Sequence, residues 1–285
     1  MTQITTRRFL QTAAVLAAGI VLAACGKKEE PAAVEPAASA PAPAPAPTVY
    51  AVGTDAAYAP FESQDEKGEI VGFDIDVLKA IAAKAGFEVK FINTPWEGIF
   101  NSLGQGDRDI VISAVTITDE RKQTLDFSDA YFDAAQLIAV RDNSKVTKFA
   151  DLKKLKVGVQ TGTTGDEAVT KLQGKTSTNI KRFESTPLAL KELESGGVDA
   201  VVADNGVVIH HVANNPGAKF KTISDTEFAP EQYGIAVKKG NTAVLEKINQ
   251  GLAGIKADGT YDQIYTKYFG APPAKAEAPA SAASN

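Results

Sequence analysis

From Val49 onward, short apolar runs alternate with stretches whose apolar positions recur at helical spacing, the pattern of α/β units rather than of an all-β or all-α chain. Strands are predicted at 50–53, 89–92, 109–114, 156–159 and 199–203. Between the first two, Val77, Leu78, Ile81 and Ala82 share one helical face, with Asp74 as the N-cap and Gly86 as the end. The repeating unit is strand, helix, strand.

One stretch of this pattern occurs twice. Thr94-Pro95 predicts a helix start, with an end near Gly106 and a following strand; Thr186-Pro187 predicts another, with an end near Gly196 and the strand 199–204. Leu103, Gly106, Asp109 and Val111 align without a gap on Leu193, Gly196, Asp199 and Val201. A supersecondary plan written twice supports two lobes.

The ends of the chain differ from the middle. Arg7 and Arg8 precede an apolar run, 9–24, too short for a retained transmembrane helix, so residues 1–25 read as a cleaved signal. Leu22-Ala23-Ala24-Cys25 resembles the bacterial lipobox, and Cys25 is the only cysteine in 285 residues, which makes it the expected lipid anchor. The arginine pair leaves general-secretory or twin-arginine export open. Residues 26–47, rich in Ala, Pro, Glu and Lys, cannot bury enough surface to order themselves and read as a tether with polyproline II character. Residues 271–285 repeat that bias as a loose tail. About 48–270 remain for the folded part, with no second cysteine to form a disulfide.

A formal net charge of −5 argues against a nucleic-acid partner. His210 and His211 are adjacent on a predicted helix and diverge, so no zinc site is expected; no cofactor and no Ser-His-Asp or Cys-His set is visible.

Ligands of α/β lobes lie beyond the carboxyl ends of the strands. Those ends carry Thr54-Asp55, Ala114-Val115-Thr116, Gln160 to Gly165 and Asp204, which two facing lobes would bring to one cleft. Arg121 follows Thr118-Asp119-Glu120 in a first helical turn, where an arginine is disfavoured by the helix dipole. Either a neighbouring acid or a ligand carboxylate, clamped by the planar guanidinium, would account for it. Gly162-Thr163-Thr164-Gly165 reads as an anion-accepting helix start or as a plain turn, and lacks the lysine of a P-loop. Asp204 either accepts an ammonium group or caps the next helix. Tyr58, Phe61 and Trp96 are either core or ligand wall, and Trp96, beside the strand ends, favours the wall.

These segments resemble the extracytoplasmic amino-acid-binding proteins of ABC transporters, in the polar amino-acid cluster. The resemblance rests on Val52 to Glu62, Gly72-Phe73-Asp74-Ile75-Asp76, Ile117-Thr118-Asp119-Glu120-Arg121 with Asp126-Phe127-Ser128, Gly158-Val159-Gln160, Tyr233-Gly234 and Asp258-Gly259-Thr260-Tyr261. It implies a bilobal periplasmic-binding-protein fold of two Rossmann-like lobes. Lobe one would be 48–130 with 233–270, and lobe two 131–232, joined by hinges near 131–135 and 229–232. It further implies an α-carboxylate site at Arg121, Thr116 and the amides around Thr164 and Gly165, and an α-ammonium site at the Ala114 carbonyl, Thr116 and Asp204. Tyr58 and Trp96 would wall the ligand side chain, with Asp55 and Gln160 at its end.

With the ligand's carboxylate on Arg121 and its ammonium on Asp204, Asp55 is left unpaired in a closed cleft unless the ligand brings a cation. Arginine or lysine supplies one, and the aromatic walls suit a guanidinium. Glutamine is the alternative ligand, and a dehydratase-like periplasmic enzyme the alternative class. The expectation is therefore a monomeric, non-enzymatic binding protein, lipid-anchored in the periplasm or at the cell surface, that passes a free amino acid to a membrane permease.

Overall fold

Two of the predicted strands, 50–53 and 156–159, become the second strands of two five-stranded sheets built on one plan. The computed structural model describes residues 47–271. The expected signal, Cys25, the tether up to residue 46 and the tail from 272 lie outside the described residues. The first sheet runs Glu88–Asn93, Val49–Thr54, Ile110–Val111, Ala236–Lys238, Leu125–Phe127. The second runs Ile180–Phe183, Val157–Gln160, Ala200–Asp204, Gln136–Arg141, Phe220–Ile223. In each, the first three strands are parallel and the fourth is antiparallel to both its neighbours.

Strands covered on both faces read as continuous apolar runs, and Val157–Gln160 and Ala200–Asp204 are buried throughout. Alternate residues of the second sheet feed two separate cores: Ile138, Val140, Ala200 and Val202 face one, while Leu137, Ala139, Val201 and Ala203 face the other. The first sheet packs Val52, Ile110 and Ile112 against helix Phe73–Ala85 and the aromatic residues Phe61, Phe132 and Tyr233.

The internal repeat extends to single atoms. Asp109 N–H donates to Ala51 O at 2.8 Å and its carboxylate accepts from Ala51 N–H at 2.8 Å; Asp199 does the same with Lys156 at 2.8 and 2.9 Å. Gly106 and Gly196 both end their helices with φ near +85° (84° and 86°).

The predicted helix starts are displaced. After Thr94-Pro95 the chain turns through Trp96 to Gly98 before helix Ile99–Gln105, and the Thr94 hydroxyl donates to Ile92 O instead of capping. In the other copy Ser185 is the N-cap, so Thr186 and Pro187 open helix Thr186–Ser195, and the Thr186 hydroxyl donates to Gln160. Gly72, not Asp74, caps helix Phe73–Ala85; a Cβ there would stand 2.1 Å from Phe61 O, so only glycine fits, and Asp74 turns inward. The predicted strand 109–114 pairs only over Ile110–Val111, because Ala114 takes φ 45° and the chain leaves the sheet.

The chain passes between the sheets through Phe132–Ala134 and Glu231–Tyr233, which pair antiparallel as a two-stranded ribbon.

Candidate functional site

The strand ends converge as their chemistry requires. Asp55, Tyr58, Trp96, Ala114, Thr116, Arg121, Gln160, Thr164 and Asp204 line one cavity together with Ser113 and Thr163. Its open space, mouth included, is about 320 Å³, at the small end of ligand pockets. Gly165 stands behind Thr164, where a Cβ would lie 2.9 Å from Val202 O, so it brings the helix start close to the strand rather than lining the cavity.

Arg121 enters from a short turn, Arg121–Gln123, whose first amide donates to Thr118 Oγ1 at 3.1 Å. Its guanidinium lies 5.3 Å from the ring centres of both Trp96 and Phe100 and donates to Thr116 O at 2.8 Å and Gly162 O at 3.4 Å. Among the described residues no carboxylate forms an ion pair with it, so a neighbouring acid does not account for its position. Glu167, Asp204, Glu231 and Glu120 act on it only through space, and burial lowers its pKa. With five donors and two carbonyls to serve, the group retains N–H for an incoming anion.

Asp204 ends strand Ala200–Asp204 and occupies the N-cap position of the next helix, yet its side chain makes no cap bond. Its oxygens accept instead from Gln136 Nε2 and Tyr233 OH, and Tyr58 OH bonds to it as well. Burial pushes the carboxyl up, and these donors with Arg121 pull it down. The acid is 6 % exposed, and among the described residues no cation forms an ion pair with it.

At the far end Asp55 Oδ2 accepts from Gln160 Nε2 at 3.2 Å, from the opposite lobe, and from the Trp96 backbone. Burial raises its pKa and the nearby Glu184 adds to that, while the two hydrogen bonds oppose it. Gln160 is fixed by Glu184 O at 3.1 Å and by the Thr186 hydroxyl at 3.0 Å, which explains the threonine at that helix start. In the glycine-threonine loop, Thr163 caps helix Thr164–Gln173, accepting from Asp166 N at 3.3 Å, and Gly162 N donates to Asp166.

Two residues that pattern did not single out complete the site. Glu231 Oε2 accepts from Thr116 Oγ1 at 2.8 Å and Thr164 Oγ1 at 3.1 Å, and Oε1 accepts from Gln136 Nε2 at 3.1 Å. Burial first, and Asp204 next, raise the Glu231 pKa. The hydroxyl of Thr116, a residue assigned by resemblance to a ligand, thus holds this acid together with the Thr164 hydroxyl. Among the described residues no group of His, Cys, Asp and Glu is placed to hold a metal, and His210 and His211 lie on helix Asn205–Asn214.

The described residues coincide with a family match. The model for bacterial extracellular solute-binding proteins, family 3, covers residues 50–271. A probable histidine-binding protein of Neisseria gonorrhoeae is 45% identical over 90% of this chain and 94% of its own length. The ABC transporter arginine-binding protein 1 of Escherichia coli is 37% identical over 76% and 89%. The solved structure of the arginine-, lysine-, histidine-binding protein ArtJ of Geobacillus stearothermophilus superposes with TM-score 0.76 at 46% identity, covering 80% of this chain and 97% of that one. The chain belongs to the bacterial extracellular solute-binding proteins, family 3.

Proposed function

We propose that the cavity takes one free amino acid with a cationic side chain, arginine, lysine or histidine, and that the protein hands it to the permease of an ABC importer. The observation that carries this is Asp55: a half-buried carboxylate whose protein donors are all neutral, at the opposite end of a cavity that also holds one arginine and one buried aspartate. Arg121 takes the α-carboxylate and Asp204 the α-ammonium, so a third ligand charge pairs with Asp55. The names of the relatives agree with that chemistry. Glutamine is the second reading, because Asp55 already accepts from a neutral amide, that of Gln160.

Calorimetry on wild type and Asp55→Asn with arginine, lysine, histidine and glutamine separates the two. For a cationic ligand the substitution strands a buried charge and costs about 3 to 5 kcal/mol, several hundredfold or more in affinity. For glutamine it exchanges one acceptor for another at about 1 to 2 kcal/mol. A wild type preferring glutamine to all three cations overturns the first reading.

The protein acts as a monomer carried on a lipid at Cys25, with 26–47 as the spacer. Cys25→Ser should move it from the membrane to the soluble fraction; a variant that stays with the membrane removes the anchor.

A further inference from the structure

Behind the cavity wall lie two acids that no ligand role uses. Glu62, on strand Glu62–Gln64, and Asp74, in the first turn of helix Phe73–Ala85, are both 0% exposed. Glu62 Oε1 accepts from the Ser113 hydroxyl at 2.8 Å, and Ser113 Oγ accepts from the Asp55 amide at 3.0 Å. Asp74 Oδ2 accepts from the Ala114 amide at 2.7 Å and from the Tyr131 hydroxyl at 2.8 Å. The remaining oxygens, Glu62 Oε2 and Asp74 Oδ1, are buried and receive no N–H or O–H from any other described residue, while the two carboxyls lie within hydrogen-bond reach of each other.

Two ionised carboxylates in that contact would repel, whereas a single proton between them satisfies both orphan oxygens. The other titratable groups facing the pair are Asp55 on the cavity side, the hydroxyls of Tyr58 and Tyr131, and Tyr261 beyond Tyr131. The Tyr131 hydroxyl, which donates to Asp74, favours a charge on that residue, whereas Asp55 and Asp74 both oppose a second negative charge on Glu62. We propose that Glu62 and Asp74 share one proton at neutral pH, carried by Glu62 and donated to Asp74, and that the pair positions the cavity wall. Through Ser113 it places Asp55, and through the Ala114 amide it holds a residue with a Cβ in a left-handed conformation, φ 45°, that such residues disfavour. Through Tyr131 the same pair reaches the start of the crossing ribbon. Burial pushes Asp74 up to about 6 and Glu62 well above the ordinary glutamate range, with repulsion from Asp74 adding to the latter, which puts the proton on Glu62.

This deepens the reading of the cavity as a ligand site, but its main tests need no ligand. In the mature protein at pH 7, infrared spectra should show the carbonyl stretch of an un-ionised carboxyl group that is lost in Glu62→Gln. Gln keeps the shape and donates N–H where the acid donates O–H, so Glu62→Gln should melt near wild type and bind arginine or histidine within about threefold. A folded-state pKa above the unfolded one makes this contribution largest below the ordinary glutamate value of 4.5 and lost as pH rises. Wild type should therefore lose stability relative to Glu62→Gln between pH 5 and 8. Combining Glu62→Gln with Asp74→Asn sets two N–H donors face to face, and affinity should fall about tenfold or more beyond the product of the single effects. Identical infrared spectra for wild type and Glu62→Gln, or a constant stability difference across that pH range, would overturn the shared proton.

Discussion

The role proposed for Arg121 predicts that binding and folding separate at one residue. Arg121 contacts two carbonyls and two aromatic rings, and Trp96 and Phe100 only border the core of Val111, Leu125 and Ala236 as partly buried residues. Arg121→Ala should abolish measurable amino-acid binding, the loss of a desolvated charged pair worth several kcal/mol, while the melting temperature stays within a few degrees of wild type. Arg121→Lys should fail as well, since an ammonium neither forks onto a carboxylate nor offers a planar group to the rings of Trp96 and Phe100. Unchanged affinity in either variant would return Arg121 to a merely structural place. Asp55 adds a pH dependence of definite sign. Its pKa is raised by burial, so in the unliganded protein it favours the protonated form, a contribution present below the unfolded value and lost as pH rises. A cationic ligand favours the ionised form instead. Arginine affinity should therefore fall on acidification, starting above the ordinary aspartate value of 3.8, and Asp55→Asn should flatten that part of the profile. Asp55, Arg121 and Asp204 were legible in the sequence because a charge at a strand end, or in the wrong turn of a helix, is a local anomaly. Glu231 and Gln136 were not: the acid interacts with threonines 115 and 67 positions away, and nothing local marks it.

Elements were legible where periodicity alone decides them, and less so where a side chain is recruited elsewhere. The strand cores and the glycine helix ends at Gly86, Gly106 and Gly196 follow from local rules. The Thr-Pro signals misplace the helix starts because Thr94 and Thr186 serve a carbonyl and Gln160 rather than their own helices. Likewise 109–114 reads as one strand by composition, but the Asp74 bond at Ala114 turns it away after Val111. Packing at element scale predicts a contrast between two glycines. At Gly165 a Cβ would meet Gln136 Oε1 at 2.8 Å and Val202 O at 2.9 Å, and the second is backbone, so helix Thr164–Gln173 and strand Ala200–Asp204 must separate. Gly165→Ala should cost about 1 to 3 kcal/mol, lower the melting temperature by several degrees and weaken binding through displaced Thr164. At Gly104, in helix Ile99–Gln105, a Cβ meets nothing within 4 Å, and Gly104→Ala should be neutral or slightly stabilising. Equal melting temperatures for the two variants would contradict this account of the helix start.

At the scale of the whole molecule, the chain crosses between lobes through two three-residue strands, and side-chain hydrogen bonds also join the lobes. Gln160 reaches Asp55 at 3.2 Å, Trp96 and Arg121 each reach Gly162 O at 3.4 Å, and Asp204 of the second lobe accepts from Tyr58 and Tyr233 of the first. At the ribbon, Glu231 joins Thr116 of one lobe to Thr164 of the other. The longer, partly exposed bonds contribute on the order of 1 kcal/mol each, and less where water competes, while the buried tyrosine bonds to Asp204 add to them, so the free protein already has some preference for closure. An amino acid held, as proposed, by Arg121 from one lobe and Asp204 from the other would add charged contacts that exist only when the lobes meet, and differential affinity is what shifts such an equilibrium. Small-angle scattering should accordingly show a smaller radius of gyration at saturating ligand than without it. Glu231→Ala removes the tie nearest the hinge without touching either lobe's core, so it should weaken binding and enlarge the free protein's scattering envelope while leaving the saturated profile unchanged. Superimposable free and saturated profiles for wild type would mean that the cleft does not close on its ligand, and capture would then rest on a preformed pocket.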